Sequence, residues 1–303
     1  MITCMASAAV ARELEPPVAQ QVAPGVYWFA GSTGEASPAN AGRIGNASFI
    51  VGPLGVLAVD SGSSYAHGLE LLGAIRRTTD QPIRALLLTQ ARPEFIFGAK
   101  AFQDAGVPVW MHQRALDLML ERCALCLSRL RKILGVSVMA GTEIVRPDFS
   151  LGEGLSTGLI GRPLQILDLG PSSGPGDLAV WDASTATLIA AGLVDHQRIP
   201  RLFDDHLEGW LRALDVLAEL PLAQLIPGHG PPGSAGLLGQ HKQYLQALGR
   251  SVQSAMQSGL SLGQLADLPA LGPWTGWDGY PQQHVQNLQI LYLRLEQRWL
   301  QQP

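Results

Sequence analysis

Cysteine, tyrosine and long apolar runs are scarce in this chain, and its charges nearly cancel. Three cysteines in 303 residues exclude a disulfide-framed scaffold, which is small and cysteine-dense. A net charge of −4, with five Tyr and seven Trp scattered along the chain, offers no basic field or stacking platform. Nucleic acid and anionic membrane are therefore excluded as partners. No apolar run reaches the ~20 residues that a transmembrane helix needs. What is present is 47% apolar and 15% charged residues, enough for one large core.

The first residues, MITCMASAAVARELEPP, contain a small-residue stretch that suits the end of a secretory signal. A disordered leader fits equally well, so residues 1–22 are set apart from the body, ahead of Val26. Export makes the periplasm or the exterior the expected location, and the cytoplasm is the alternative. Cys123 and Cys126 form a C-x-x-C inside LERCALCLSRLRKILG, an amphipathic helical stretch. The chain lacks a second such pair, so a structural zinc site is excluded. A mid-helix position also argues against a thioredoxin-like redox motif. A disulfide between Cys123 and Cys126 is expected if the chain is exported, and packed thiols otherwise. A thiol redox or assembly role is the remaining reading of that pair.

From Val26 onward, short apolar strands alternate with amphipathic helices. Strands are predicted over 26–31, 47–52, 55–62, 83–89 and 107–112, and then over 163–170, 177–183, 187–192 and 224–228. Helices are predicted over about 65–79, 94–104, 113–134 and 205–219, the last capped by Asp204 or Asp205. From 236 the chain reads as mostly helical. IRALLLT (83–89) is apolar almost throughout, the mark of a strand buried on both faces. Polar residues gather at strand ends, which makes this an α/β layered fold with helices outside.

The order of motifs carries a resemblance. A strand ends in Asp60, TQARPEFIFGA follows the strand at 83–89, a Gly/Ser turn precedes Asp177, and IPGHGPP holds His229. Together they resemble the metallo-β-lactamase fold superfamily over about residues 24–235. GRIGNASFIVG, AIRRTTDQPIRALLLT and LEGWLRALDVLAELP look like its quinoprotein-relay group of zinc metallohydrolases. The resemblance implies a four-layer αββα sandwich over 23–235, with a helical extension over 236–303 packed upon it.

It also implies where metal ligands would stand. The family's His-x-His-x-Asp-His loop falls on Gln90, Arg92, Glu94 and Phe95. Its next His falls on Ser173. Its bridging Asp falls on Leu193 without a gap, or on Asp195 with a small shift. Only His229 keeps the family's residue. Gln and Ser bind transition metals weakly, and Arg stays protonated, so a first metal site is not expected. Glu94, Asp195 and His229 still make a facial triad on paper, suited to one Zn, Fe or Mn ion.

Arg92 is expected to enter that space and pair with Glu94. A unit charge ~4 Å from a cation costs about 4 kcal/mol at an effective dielectric of 20, roughly three orders of magnitude in affinity. Asp60 resembles the family's structural Asp, which holds the loop. His196 lies beside the site, His112 reads as a strand-end hydrogen-bonding residue and His206 as exposed. His67, His241 and His284 read as surface or packing residues. Ser172 or Ser173 with His229 and Asp195 would make a Ser/His/Asp set, but no G-x-S-x-G elbow accompanies it.

The expectation is a non-hydrolytic or metal-poor pseudo-enzyme that binds a small anionic ligand in the old cleft, auxiliary to periplasmic quinoprotein oxidation by family analogy. The alternative is a hydrolase with one atypical metal on Glu94, Asp195 and His229.

Overall fold

The computed structural model describes residues 14–280 and 282–301. Cys4 and most of the expected leader lie outside them. Strands β1 (Gln20–Ala23), β2 (Val26–Phe29), β3 (Ala47–Gly52) and β4 (Gly55–Val59) form an antiparallel meander. Helix α1 (Tyr65–Thr78) then crosses to β5 (Ile83–Leu88), which runs parallel to β4. Helices α2 (Pro93–Ile96) and α3 (Ala99–Asp104) lead to β6 (Val109–His112), and α4 (Gln113–Leu134) precedes β7 (Phe149–Leu151). Seven strands thus lie side by side in chain order.

A second sheet takes the order β12-β11-β10-β9-β8. Strands β8 (Leu155–Thr157), β9 (Leu164–Asp168), β10 (Leu178–Asp182) and β11 (Thr187–Asp195) are antiparallel neighbours. After α5 (Leu207–Ala218), β12 (Gln224–His229) joins β11 in parallel. Helix α6 (Gly236–Gln257), two 3₁₀ turns (Leu262–Asp267 and Gly272–Gly276) and α7 (Gln282–Leu300) complete the chain.

Strand alternation sorts the side chains into three apolar layers. Leu57, Val59 and Leu87 of the first sheet meet Ile166, Val180 and Ile189 of the second. Their neighbours Ala58, Leu86 and Leu88 turn the other way, against Leu71 and Ile75 of α1, Phe102 of α3 and Met119 of α4. On the far side Trp181 and Leu188 pack against Trp210 of α5, Leu245 of α6 and Leu288 of α7. The result is an αββα sandwich whose C-terminal helices cover the second sheet.

Several local expectations change. β1 starts at Gln20, so the first sheet begins before residue 23. β7 and β8 are three-residue strands with exposed or half-buried side chains and carry no apolar run to betray them. The helix expected over 94–104 breaks at Gly98, where a Cβ would lie 1.9 Å from the Ser61 carbonyl oxygen. The cap of α5 is His206, whose Nδ1 accepts the Gly209 N–H at 2.9 Å, rather than Asp204 or Asp205. Asp205 is instead drawn to Arg294 on α7.

Cys123 and Cys126 are free thiols, so the expected disulfide is not formed. Their spacing explains it: i,i+3 side chains on a regular helix keep Cβ atoms ~5–6 Å apart, whereas a disulfide needs about 3.8 Å.

Candidate functional site

The ends of β4, β5, β11 and β12 bring their following loops to one edge of the sandwich. β4 leads straight into Asp60, which takes a left-handed backbone (φ 63°). Its carboxylate accepts the Thr89 N–H and hydroxyl, each at 2.9 Å, so it ties the β4 end to the start of the 90–92 loop. Burial pushes Asp60 up to about 7, although both Thr89 hydrogen bonds pull the other way.

In the second sheet Asp195 and His229 are paired across parallel strands. β11 carries two register shifts, and Ala191 has φ 47°. The extra residues carry the chain past the ungapped position. Leu193 is buried in the helix-facing core, its carbonyl accepting the Trp210 indole N–H at 2.9 Å. Asp195, and not Leu193, therefore faces His229.

Asp195 Oδ1 lies 2.7 Å from His229 Nδ1, and Glu94 Oε1 lies 3.5 Å from His229 Nε2. The first is a hydrogen bond, while the second is an ion contact too long for one. The imidazole is thus set between two carboxylates. Glu94, Asp195 and His229 are 7%, 2% and 4% exposed. Burial disfavours charge on all three, but mutual attraction prevails: both carboxylates are held below their ordinary range and the imidazole above its own. Phe95 packs its ring 5.6 Å from that of His229 and closes one side.

Arg92 does not pair with Glu94. It is the N-cap residue of α2, with an extended backbone, while Glu94 lies within the helical turn. The two side chains therefore leave in different directions, and Arg92 Nη2 reaches the Ser173 carbonyl at 3.4 Å. Gln90 Nε2 donates to Ser173 Oγ at 2.5 Å, and Gln90 Oε1 is buried without a donor among the described residues. Ser172 Oγ, Ser173 Oγ and Gly174 N–H all donate to Asp177 Oδ2 at 2.8 Å. Both serines thus face Asp177, and no Ser/His/Asp relay forms with His229.

Three contributors were given no role at the site from the sequence. Asp177 organises the 172–176 turn, and its place directly after Gly-Pro-Gly was the available signal. Asn46 accepts the Gly31 N–H and donates to the carbonyls of Pro227 and Gly230, locking the first sheet to the His229 loop. His241 Nδ1 accepts the Asp195 N–H at 3.2 Å from beneath. Of the other histidines, His196 Nδ1 contacts the Pro231 carbonyl, and His112 caps α4 by accepting the Arg114 N–H. His206 is half-buried rather than exposed, and His67 and His284 are buried packing residues. Among the described residues, no three His, Cys, Asp or Glu side chains are grouped to hold a metal ion.

Residues 40–229, well over half the chain, match the model of the metallo-beta-lactamase superfamily. The chain belongs to this superfamily. Among curated proteins it is 24% identical over 219 residues to the linear primary-alkylsulfatase of Pseudomonas sp. (strain ATCC 19151), covering 61% of this chain. It spans 41% of that relative's length. Among solved structures, a metallo-beta-lactamase from Pontibacter korlensis superposes with a TM-score of 0.62 at 20% identity, over 76% of this chain and 99% of its own. A double mutant of the sec-alkyl sulfatase PisA1 gives a TM-score of 0.73 at 18% identity, over 92% of this chain and 50% of its own. At such identities the structural likenesses speak for the fold alone. No helix among the described residues is long and apolar enough to cross a membrane.

Proposed function

We propose that this metallo-β-lactamase-fold chain has exchanged the metal centre of its fold for an internal ionic cluster, and binds a small anionic molecule without hydrolysing it. The observation that carries this reading is the His229 imidazole held between Asp195 at 2.7 Å and Glu94 at 3.5 Å. Zinc, which the superfamily implies, does not fit the donors as they stand. Where the resemblance puts the first ion's ligands, Gln90 is hydrogen-bonded to Ser173 and Arg92 carries a fixed positive charge. For a second ion, Glu94 and Asp195 flank opposite nitrogens of the imidazole and do not converge on one point. Arg92, turned toward the Ser173 carbonyl, keeps a positive charge where the resemblance puts a ligand of the first ion.

The anion is argued from Arg92. Its guanidinium is half-buried at the mouth and has no carboxylate within ion-pair distance among the described residues. A planar fork of donors with one long contact suits a carboxylate or a sulfate. The names of two relatives, both alkyl sulfatases, support an anionic group of that kind. The quinoprotein-relay resemblance supports a periplasmic auxiliary role.

The test is metal content by mass spectrometry, on protein expressed with added zinc, iron and manganese. The expected result is less than about a tenth of an equivalent per chain, because Glu94 and Asp195 are engaged on opposite nitrogens of His229. The alternative, one Zn, Fe or Mn on Glu94, Asp195 and His229, predicts close to one equivalent that disappears in His229→Ala. That outcome would overturn the proposal.

A further inference from the structure

The thiols of Cys123 and Cys126 form a pair that the His229 cluster does not use. They stand three residues apart on α4, so both leave the same face of the helix. Cys123 is buried in the layer that holds Met119, Leu127 and Leu130, and Cys126 is half-buried at its edge. The Cys123 thiol donates to Cys126, whose own sulfur reaches the Arg122 carbonyl at 3.6 Å. The two sulfur atoms thus face one another at the boundary between apolar core and solvent.

Their separation suits an ion better than a bond. Cβ atoms three residues apart on a helix lie ~5–6 Å from each other, and a disulfide draws them to about 3.8 Å. An ion between two thiolates sets the sulfur atoms about 4.6 Å apart, two metal–sulfur bonds of ~2.3 Å end to end. The helix supplies that span without bending. The donor set then selects the ion. Among the described residues no third His, Cys, Asp or Glu joins the pair, so zinc, which asks for four ligands, is left short. Monovalent copper is soft and is content with two thiolates in a line. Taking up one Cu(I) releases two thiol protons and leaves a complex with one negative charge. Arg122 and Arg129 stand about one turn to either side of Cys126 and offset it, although Arg122 also meets Asp204.

We propose that Cys123 and Cys126 hold one Cu(I) ion between two thiolates on α4, at a site separate from the His229 cluster. The buried Cys123 anchors the ion on the dry side, and the half-buried Cys126 is its point of entry.

The experiment is anaerobic titration of the full chain with Cu(I) in competition with a chromophoric Cu(I) chelator. The chain carries Cys4→Ser, so that the third thiol takes no part. One equivalent is expected to leave the chelator, and X-ray absorption at the copper edge should show two sulfur neighbours and no nitrogen. Cys126→Ser alters a half-buried position, so it should keep the melting temperature while lowering affinity about 10²–10⁴-fold, the scale of losing a second linked ligand. Cys123→Ala should do the same from the core side. His229→Gln should leave the copper in place, and an equivalent of Zn(II) should not displace it. The proposal is overturned if the chelator keeps all the copper, if nitrogen appears among the copper's neighbours, if Cys126→Ser folds and binds as the parent does, or if His229→Gln or zinc releases the ion.

Discussion

Replacing His229 by Leu in metal-free protein isolates the ionic cluster. The substitution keeps an apolar side chain of similar bulk against Phe95, yet leaves Asp195 and Glu94 buried and facing each other without the cation between them. Asp195 loses a 2.7 Å hydrogen bond, and both carboxylates are almost wholly removed from water. Removing one partner of a buried ion pair costs about 3–5 kcal/mol, and in a domain of this size each kcal/mol moves the melting temperature by roughly 2–4 °C. A fall of about 10 °C is therefore expected in protein treated with a chelator and melted near pH 6, where the imidazole is charged. Adding Asp195→Asn should return part of the loss, because one of the two uncompensated charges is removed. If His229 instead served only to hold a metal, its loss would matter in metal-loaded protein and hardly at all after chelation. An unchanged melting temperature for chelator-treated His229→Leu would refute the reasoning.

Three further outcomes follow from the packing. His67 is buried with Nδ1 accepting the Ser63 N–H at 3.3 Å, and burial, helped by Arg43, pushes it down to about 3 from 6.5. The unfolded chain binds that proton first as pH falls, so stability should drop by up to ~1.4 kcal/mol per pH unit below 6.5, levelling off near 3. His67→Asn should flatten this slope in chemical denaturation, and identical slopes would count against it. Gly98→Ala drives a Cβ to 1.9 Å from the Ser61 carbonyl and should cost about 3 kcal/mol by overpacking, read from the denaturation midpoint. The Cys126 thiol is drawn down to about 7 by its hydrogen bond with Cys123, against the effect of burial, so a thiol reagent should label it well before Cys123. Air oxidation should leave the intact mass without the loss of two hydrogens.

The layered fold was legible because its strands are apolar runs buried on two faces and its helices carry a one-sided apolar stripe. IRALLLT and TLIAAG could hardly lie elsewhere than in the middle of a sandwich. Pieces set by tertiary contact were not legible. The break at Gly98 depends on Ser61, a residue 37 positions away in sequence. β7 owes its place to pairing with β6 and β8 to pairing with β9, since each is too short to show a period and brings only one leucine to the core. At the site, sequence order gave the composition of the cluster but not its pairing. Two residues of separation suggested Arg92 with Glu94, yet the helix start at Pro93 sends them apart and gives Glu94 to His229. Asp195 and Leu193 could be separated only by the irregular register of β11. Asn46 and His241 act on the cluster from 181 and 46 residues away, distances at which local pattern carries no information.

The central claim is that His229 is a charged imidazolium, hydrogen-bonded to Asp195 through Nδ1 and in ion contact with Glu94 at Nε2, and so offers no lone pair to a metal. Nitrogen NMR of the imidazoles in labelled protein at pH 6, before and after an equivalent of zinc, tests it most directly. With seven histidines in the chain, His229→Gln assigns the signal. The account predicts two protonated ring nitrogens at His229 that do not move when zinc is added. A bare nitrogen that shifts on addition of zinc would contradict it.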